Sequence, residues 1–196
     1  MNKDELKQLR KSIRQQRRAL TIFQQRQAEQ AILTYSYHHK KLKSAQHIGL
    51  YLHDFGEIFT RKLIEYCFSQ QKSVYLPQVC EMNQRLVWVP ISRHQYRHQR
   101  FVRHRLKMLE AKVSRGHSIK KLDVVFMPLL ACDRVGMRLG MGGGFYDRTL
   151  ANVPYRLYRI GLAHDFQYLR YLLPAQKWDE GIDELWTPST LYRFKR

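Results

Sequence analysis

The chain has 196 residues, 44% hydrophobic and 26% charged, which suits one globular domain able to bury a full core without staples. Its 35 Lys and Arg against 16 Asp and Glu give a formal net charge of +19, which draws polyanions: nucleic acid, an anionic membrane, or a phosphorylated or polycarboxylate ligand. Cys67, Cys80 and Cys132 lack Cys-x-x-Cys spacing and read as reduced thiols of a cytoplasmic protein, and neither a signal peptide nor an apolar run of bilayer length is present.

Asp4 to Leu20 reads as a helix, with Leu6, Leu9, Ile13 and Leu20 near one face and Lys7, Arg10, Arg14 and Arg18 as a basic stripe. Thr21 with Gln24 fits a capping box, so a second helix is expected to His38, followed by a basic turn through Lys43. His47 to Leu52 suits a buried strand, and the loop His53–Glu57 leads to a helix capped by Thr60. Strands are expected at Ser73–Leu76, stopped by Pro77, and at Leu86–Val89, stopped by Pro90. His94, His98 and His104 lie among arginines; two histidines on one helical face fall short of a metal set, and a solvated basic loop is the better reading. Leu122–Met127 reads as a strand of a doubly covered sheet, Leu157–Leu162 as another with His164-Asp165 just past it, and Glu184–Thr187 as a last edge strand. Between them, a helix is expected from Phe145 to Pro154. The alternation predicts an α/β fold in a single domain over residues 1–196. It would be an open, mostly parallel sheet with helices on both faces, Rossmann-like in three layers, with ligands off the carboxyl ends of the strands.

The stretch Arg138-Leu139-Gly140-Met141-Gly142-Gly143-Gly144-Phe145-Tyr146-Asp147-Arg148 carries the clearest chemistry. Glycines let the backbone approach a ligand and turn its N–H groups to one point, and a glycine run opening a helix favours phosphate. The arginines add forked donors, and Asp147 is a candidate ligand for a hard cation. From composition alone the alternative is a tight glycine turn packed under an aromatic pair. The stretch is no Walker A motif, because no Gly-Lys-Ser/Thr follows. It also misses the dinucleotide fingerprint, because Phe145 stands where the third glycine belongs. What remains is phosphate chemistry by positioning and charge, with a magnesium-class ion on a carboxylate.

On these residues the whole chain resembles the 5-formyltetrahydrofolate cyclo-ligase family, also called 5,10-methenyltetrahydrofolate synthetases. That family's signature, Arg-Leu-Gly-x-Gly-x-Gly-Phe/Tyr-Tyr-Asp, is met in full by Arg138 to Asp147. The basic first helix, the stretch Leu52–Thr60, the run Val74-Tyr75-Leu76-Pro77 and the segment Asp179–Pro188 fall in the family's order around it. The resemblance implies ATP- and Mg²⁺-dependent conversion of 5-formyltetrahydrofolate to 5,10-methenyltetrahydrofolate.

By position, the resemblance puts Lys7, Arg10, Arg14, Arg138, Leu139, Gly140, Met141, Gly142, Gly143, Gly144, Phe145 and Tyr146 at ATP. Arg10, Leu52, Glu57, Met141, Gly142, Gly143, Gly144 and Phe145 would meet the folate, Asp147 and Asp183 the Mg²⁺, and Arg138 and Tyr146 the chemistry. Tyr146 reads equally as a packing residue. Two departures stand out: Leu6 replaces the family's usual lysine, leaving Lys3 or Lys7 to substitute, and Gly143 stands where some members carry lysine. A monomer acting on ATP and 5-formyltetrahydrofolate, with or without a polyglutamate tail, is expected, with no membrane or nucleic-acid partner. The rival readings are a basic RNA-binding protein, opposed by the spread of basic residues and the lack of a recognised motif, and an ATP-dependent kinase or ligase acting on another small acid.

Overall fold

The structure, a computed structural model, describes residues 1–103, 109–111, 115–151, 153 and 156–195. His104 and Pro154 therefore lie outside the described residues. Helix α1 (Lys3–Ala19) opens with a capping box between Asn2 and Glu5. Helix α2 (Ile22–His38) opens with the expected one, in which Gln24 N donates to the Thr21 hydroxyl at 3.2 Å and Thr21 N to Gln24 Oε1 at 2.8 Å. The basic turn after His38 is instead a short helix, α3 (Lys40–Ser44), because His39 Nδ1 accepts from Leu42 N at 3.1 Å and restarts the helix. Thr60 stands at the N-cap of α4 (Arg61–Ser69) without capping it; its hydroxyl donates to Tyr51 O at 2.7 Å and ties the helix start to the strand end.

Among the described residues seven strands form the main sheet: β1 (His47–Gly49), β2 (Ser73–Cys80), β3 (Arg85–Ile91), β6 (Val124–Pro128), β9 (Tyr158–Leu162), β10 (Glu184–Trp186) and β11 (Leu191–Arg193). Two-stranded pairs β4 (Phe101–Arg103) with β5 (Leu109–Ala111), and β7 (Ala131–Cys132) with β8 (Arg138–Leu139), lie apart from it. Short helices α5 (Arg93–Arg97) and α6 (Phe145–Leu150) complete the elements named here. The sheet order is β11-β10-β9-β6-β1-β2-β3, parallel from β10 to β2 and antiparallel at both edges. This is the expected α/β, mostly parallel sheet. Glu184–Trp186 is not its edge, since β11 covers it.

The two prolines do not stop their strands. Trp88 exchanges both backbone bonds with His117, each 2.8 Å, so it and Pro90 two residues on face away from β2. Tyr75 O likewise accepts from Leu50 N of the β1 side, and Pro77 faces that way beyond the end of β1. A missing N–H costs nothing where no partner strand lies.

One face of the sheet is covered by α2, α3 and α4, whose Ile32, Leu42, Leu63, Ile64 and Cys67 pack on Ile48, Val74, Phe126 and Trp186. The other carries Trp88, Val125, Met127 and Leu185 under Leu150 of α6, with connecting segments filling the layer. Helix α1 lies across the hairpin β7–β8, joining Leu6, Leu9 and Ile13 to Leu130, Leu139 and Leu173. Strand β1 pairs with β2 on one side and β6 on the other, so the order in which strands are added reverses there, and a crevice opens off the carboxyl ends of the strands. The loop after β1 and the glycine loop both border it.

Candidate active site

A cleft of about 910 Å³ occupies that crevice. Its walls come from the start of α1, the segment Tyr51–Glu57, the glycine loop with the first turn of α6, and the segment Leu173–Asp179. The hairpin that delivers the glycine loop turns on Asp133, a fully buried carboxylate that the sequence did not single out. Its Oδ1 accepts from Val135 N and Met137 N at 3.0 and 2.9 Å, and its Oδ2 accepts from Leu173 N at 2.9 Å. One side chain thus fixes two walls.

The glycine loop is held by its carbonyls. Arg10 Nε donates to Gly140 O at 3.2 Å, Arg14 Nη2 to Met141 O at 3.1 Å, and Arg148 Nη2 to Gly143 O at 2.7 Å. Among the described residues no protein acceptor meets the N–H groups of Met141 to Gly144. Gly142 and Gly144 have φ of +105° and +63°, which L side chains rarely adopt. Carbonyls bound from behind and unpaired N–H groups in front make an anion cradle. Helix α6 has only six residues, so arginine charge and bare N–H groups carry more of the attraction than a helix dipole does.

Arg138 is buried, and its Nη2 lies 2.6 Å from Asp147 Oδ1 while its guanidinium sits 5.4 Å from the centre of the Tyr146 ring. Its Nε is buried and meets no acceptor among the described residues. Burial pushes the Tyr146 phenol well above its usual range, with Glu57 adding and Arg138 opposing. Tyr146 is therefore an un-ionised group at neutral pH, packed on the core and against Arg138, and not a base.

On the facing wall Leu52 and Glu57 line the cleft. Glu57 sits over Arg17, a buried residue that sequence reading passed over as one more cation of a basic helix. Arg17 Nε and Nη2 donate to Phe55 O at 3.1 and 2.7 Å, its Nη1 reaches Leu129 O at 3.4 Å, and Glu57 Oε1 lies 3.5 Å from its Nη2. Burial raises the Glu57 carboxyl to about 7, with Arg17 pulling the other way. The His164 loop stays outside the cleft, but His164 Nε2 lies 3.2 Å from Gly56 O and braces the same loop; burial lowers that ring to about 4 and keeps it neutral.

Two expected placements change. Lys7 lines an outer groove with Lys11, Arg14 and Arg18, which meets the main cleft at Arg10, Met141 and Gly142; Lys3, not Lys7, lies in the main cleft beside Leu6. Arg148 lines the main cleft, with Nε and Nη2 donating to Gln84 O and Gly143 O. Asp183 opens β10, where its Oδ2 accepts from Arg159 N at 2.8 Å, and it is not among the residues lining the cleft; Asp179 is. Among the described residues no cluster of three His, Cys, Asp or Glu side chains is placed to hold a metal, which includes the pair His94 and His98.

Comparison with known proteins matches residues 2–188 to the model of the 5-formyltetrahydrofolate cyclo-ligase family. The chain belongs to this family. It is 36% identical over 194 residues to a 5-formyltetrahydrofolate cyclo-ligase of Haemophilus influenzae, covering 94% of this chain and 98% of that one. It is also 36% identical over 186 residues to that of Escherichia coli, covering 93% and 100%. The fold matches a solved 5,10-methenyltetrahydrofolate synthetase of Aquifex aeolicus with a TM-score of 0.80, at 24% identity over 97% of this chain and 93% of that one. One from Mycoplasma pneumoniae matches with a TM-score of 0.72, at 23% identity over 92% and 96%. No helix among the described residues is long and apolar enough to cross a membrane.

Proposed function

We propose that the cleft binds ATP and 5-formyltetrahydrofolate on the two sides of the glycine loop and closes the folate to 5,10-methenyltetrahydrofolate. The observation that carries this reading is the loop itself: unpaired N–H groups between arginines of α1 on one side and the Glu57 wall on the other. The N5-formyl oxygen belongs to an amide-like group and is a poor leaving group. Transfer of the γ-phosphoryl of ATP to that oxygen releases ADP and leaves an N5-iminium carbon bearing phosphate. The N10 lone pair then attacks that carbon, N10 loses its proton, and the C–O bond breaks to release phosphate.

The protein's part is alignment and charge. Fixing two ligands in reacting geometry contributes up to roughly 7–11 kcal/mol. The bare N–H groups of Met141 to Gly144 and the guanidinium of Arg138 face the transferring group, at a few kcal/mol per donor. Tyr146 holds Arg138 from the face of its ring, and Leu52 and Glu57 border the pterin. A Mg²⁺ ion would neutralise the phosphate oxygens. Asp147 suits it, since Mg²⁺ binds through one or two carboxylates plus phosphates and water, and Asp147 offers a half-exposed carboxylate with one oxygen on Arg138. The position of Asp183 in the sheet makes it a weaker candidate. We read residues 1–196 as one domain acting as a monomer in the cytoplasm.

The test is direct. Purified protein with Mg²⁺, ATP and 5-formyltetrahydrofolate should form the strongly absorbing methenyl product with one ADP per turnover. Folded protein that forms none would sink the reading, and ATP turnover with another acid alone would move it to the rival ligase.

A further inference from the structure

The chain has three tryptophans, and two of them, Trp88 and Trp186, are wholly buried. Trp178 is 65% exposed and lies on the cleft wall. A large ring left in water is unremarkable on a loose surface segment. This segment is not loose. Gln176 N donates to Asp179 Oδ2 at 2.8 Å and Asp179 N to Gln176 O at 3.0 Å, closing a turn around Trp178. Before the turn, Leu173 is pinned to Asp133; after it, Glu180 N reaches Asp147 Oδ1 at 3.4 Å and Glu180 Oε2 pairs with Arg159 at 2.7 Å. The indole is thus presented from a clamped turn whose two anchors are the hairpin and the acid of the glycine loop.

Its side of the cleft is defined by packing. Leu173 joins Leu6 of α1 and Leu139, so the wall bearing Trp178 continues the α1 side, where Arg10 and Arg14 grip the loop. The Glu57 wall belongs to the segment after β1. Trp178, Arg10 and the glycine loop line the same cleft, so a planar ring carried by phosphates in the cradle shares that space with the exposed indole. We propose that Trp178 is the stacking platform for the adenine ring of ATP. This rests on the cyclo-ligase reading of the cleft. A flat π-face tolerates any purine, so the platform supplies affinity and leaves base selectivity to other groups.

The test measures nucleotide binding apart from turnover, on wild type, Trp178→Ala and Trp178→Phe, with ATP and with inorganic tripolyphosphate. Stacking predicts that Trp178→Ala weakens ATP binding by roughly tenfold, that Trp178→Phe restores most of it, and that tripolyphosphate binds all three alike. Tryptophan emission should change on adding ATP to wild type, stay unchanged with tripolyphosphate, and lose its response in Trp178→Phe. Unaltered ATP affinity in Trp178→Ala would overturn the proposal, as would equal weakening of ATP and tripolyphosphate, which would mean a damaged wall. Methenyl formation by wild type separates the two levels: its absence condemns the reading of the cleft, whereas its presence with an indifferent Trp178→Ala condemns only the platform.

Discussion

The Glu57 carboxylate lies 3.5 Å from the Arg17 guanidinium, and the side chains are only 11% and 1% exposed. The pair links the inner face of α1 to the cleft wall that carries Leu52 and Glu57, and it is not a relaxed ion pair. Arg17 spends most of its donors on the carbonyls of Phe55 and Leu129, and burial still raises Glu57 to about 7. Other groups acting on Glu57 are Asp54, Tyr51 and Tyr146, none of them cationic.

This pair sets a pH dependence. If ionised Glu57 accepts from the pterin, KM for the folate should fall as pH rises through about 7, and Glu57→Gln should show a high, flat KM. Arg17→Met should move the inflection upward and Arg17→Lys less so. Stability runs the opposite way. The folded value of about 7 exceeds the ordinary 4.5, so the contribution of Glu57 is whole below pH 4.5 and is lost as pH rises through 7. The Tm of wild type relative to Glu57→Gln should drop across that window. A KM profile unchanged by Glu57→Gln would remove the carboxylate from folate binding.

Arg138 and Asp147 form the second charged pair, at 2.6 Å, on the phosphate side. Arg138→Ala should lower kcat by about 10²–10³, the usual loss for one preorganised donor to developing charge. Asp147→Asn keeps the shape but removes the charge that faces Arg138 and, on the proposed reading, Mg²⁺, and it should lose turnover with a raised Mg²⁺ requirement. Far-UV circular dichroism should match wild type in both. Full activity in either variant excludes that residue from the site.

How much of this was legible in the sequence follows from how local each signal is. The glycine loop and its arginines are contiguous, so Arg138 to Asp147 reads directly as an anion site. The prolines misled because a missing N–H matters only toward a partner strand, and strand parity at Pro77 and Pro90 is not written locally. Arg17 and Arg18 are neighbours in a basic helix, yet one is buried and the other exposed, because only Arg17 meets the carbonyls of Phe55 and Leu129. Asp133 shows the same limit: a carboxylate that accepts backbone N–H groups looks identical, in sequence, to one that holds a metal.

Two glycines separate ligand binding from folding. At Gly142 an added Cβ meets nothing within 4 Å, but φ is +105°; at Gly56 φ is +72° and the Cβ would lie 2.5 Å from Arg17 O. Gly142→Ala carries backbone strain on the order of 1–3 kcal/mol in a loop tip with room to shift. It should weaken ATP binding at least tenfold with little change in Tm. Gly56→Ala drives side chain into backbone beneath the Glu57 wall, so Tm should fall sharply. Equal Tm losses in the two would show that the loop tip is structural instead.

Far from the cleft, the buried Glu184 carboxylate fastens α2 and α3 to the sheet. It accepts from His39 Nε2 at 2.9 Å, Trp186 Nε1 at 2.7 Å, Tyr158 OH at 2.9 Å and Arg193 Nε at 3.1 Å. The Leu42 N–H bond to His39 Nδ1 makes Nε2 the protonated nitrogen, so His39 donates even when neutral. Burial pushes the Glu184 carboxyl up, but the bonds from His39, Trp186 and Tyr158 outweigh it and leave it below the ordinary value. The sign is therefore that of a depressed carboxylate: its stabilisation is present above pH 4.5 and lost as pH falls through the folded value. Glu184→Ala strands two buried donors, His39 and Trp186, beside the half-buried Tyr158, and should cost about 3–5 kcal/mol. Glu184→Gln keeps the shape but brings its own N–H₂ against donors, so it should cost nearly as much and flatten the acid limb of the Tm profile. Because Glu184 lies outside the cleft, KM for both substrates should hold in any variant that folds. An acid limb unchanged in Glu184→Gln would show that other carboxylates govern acid unfolding.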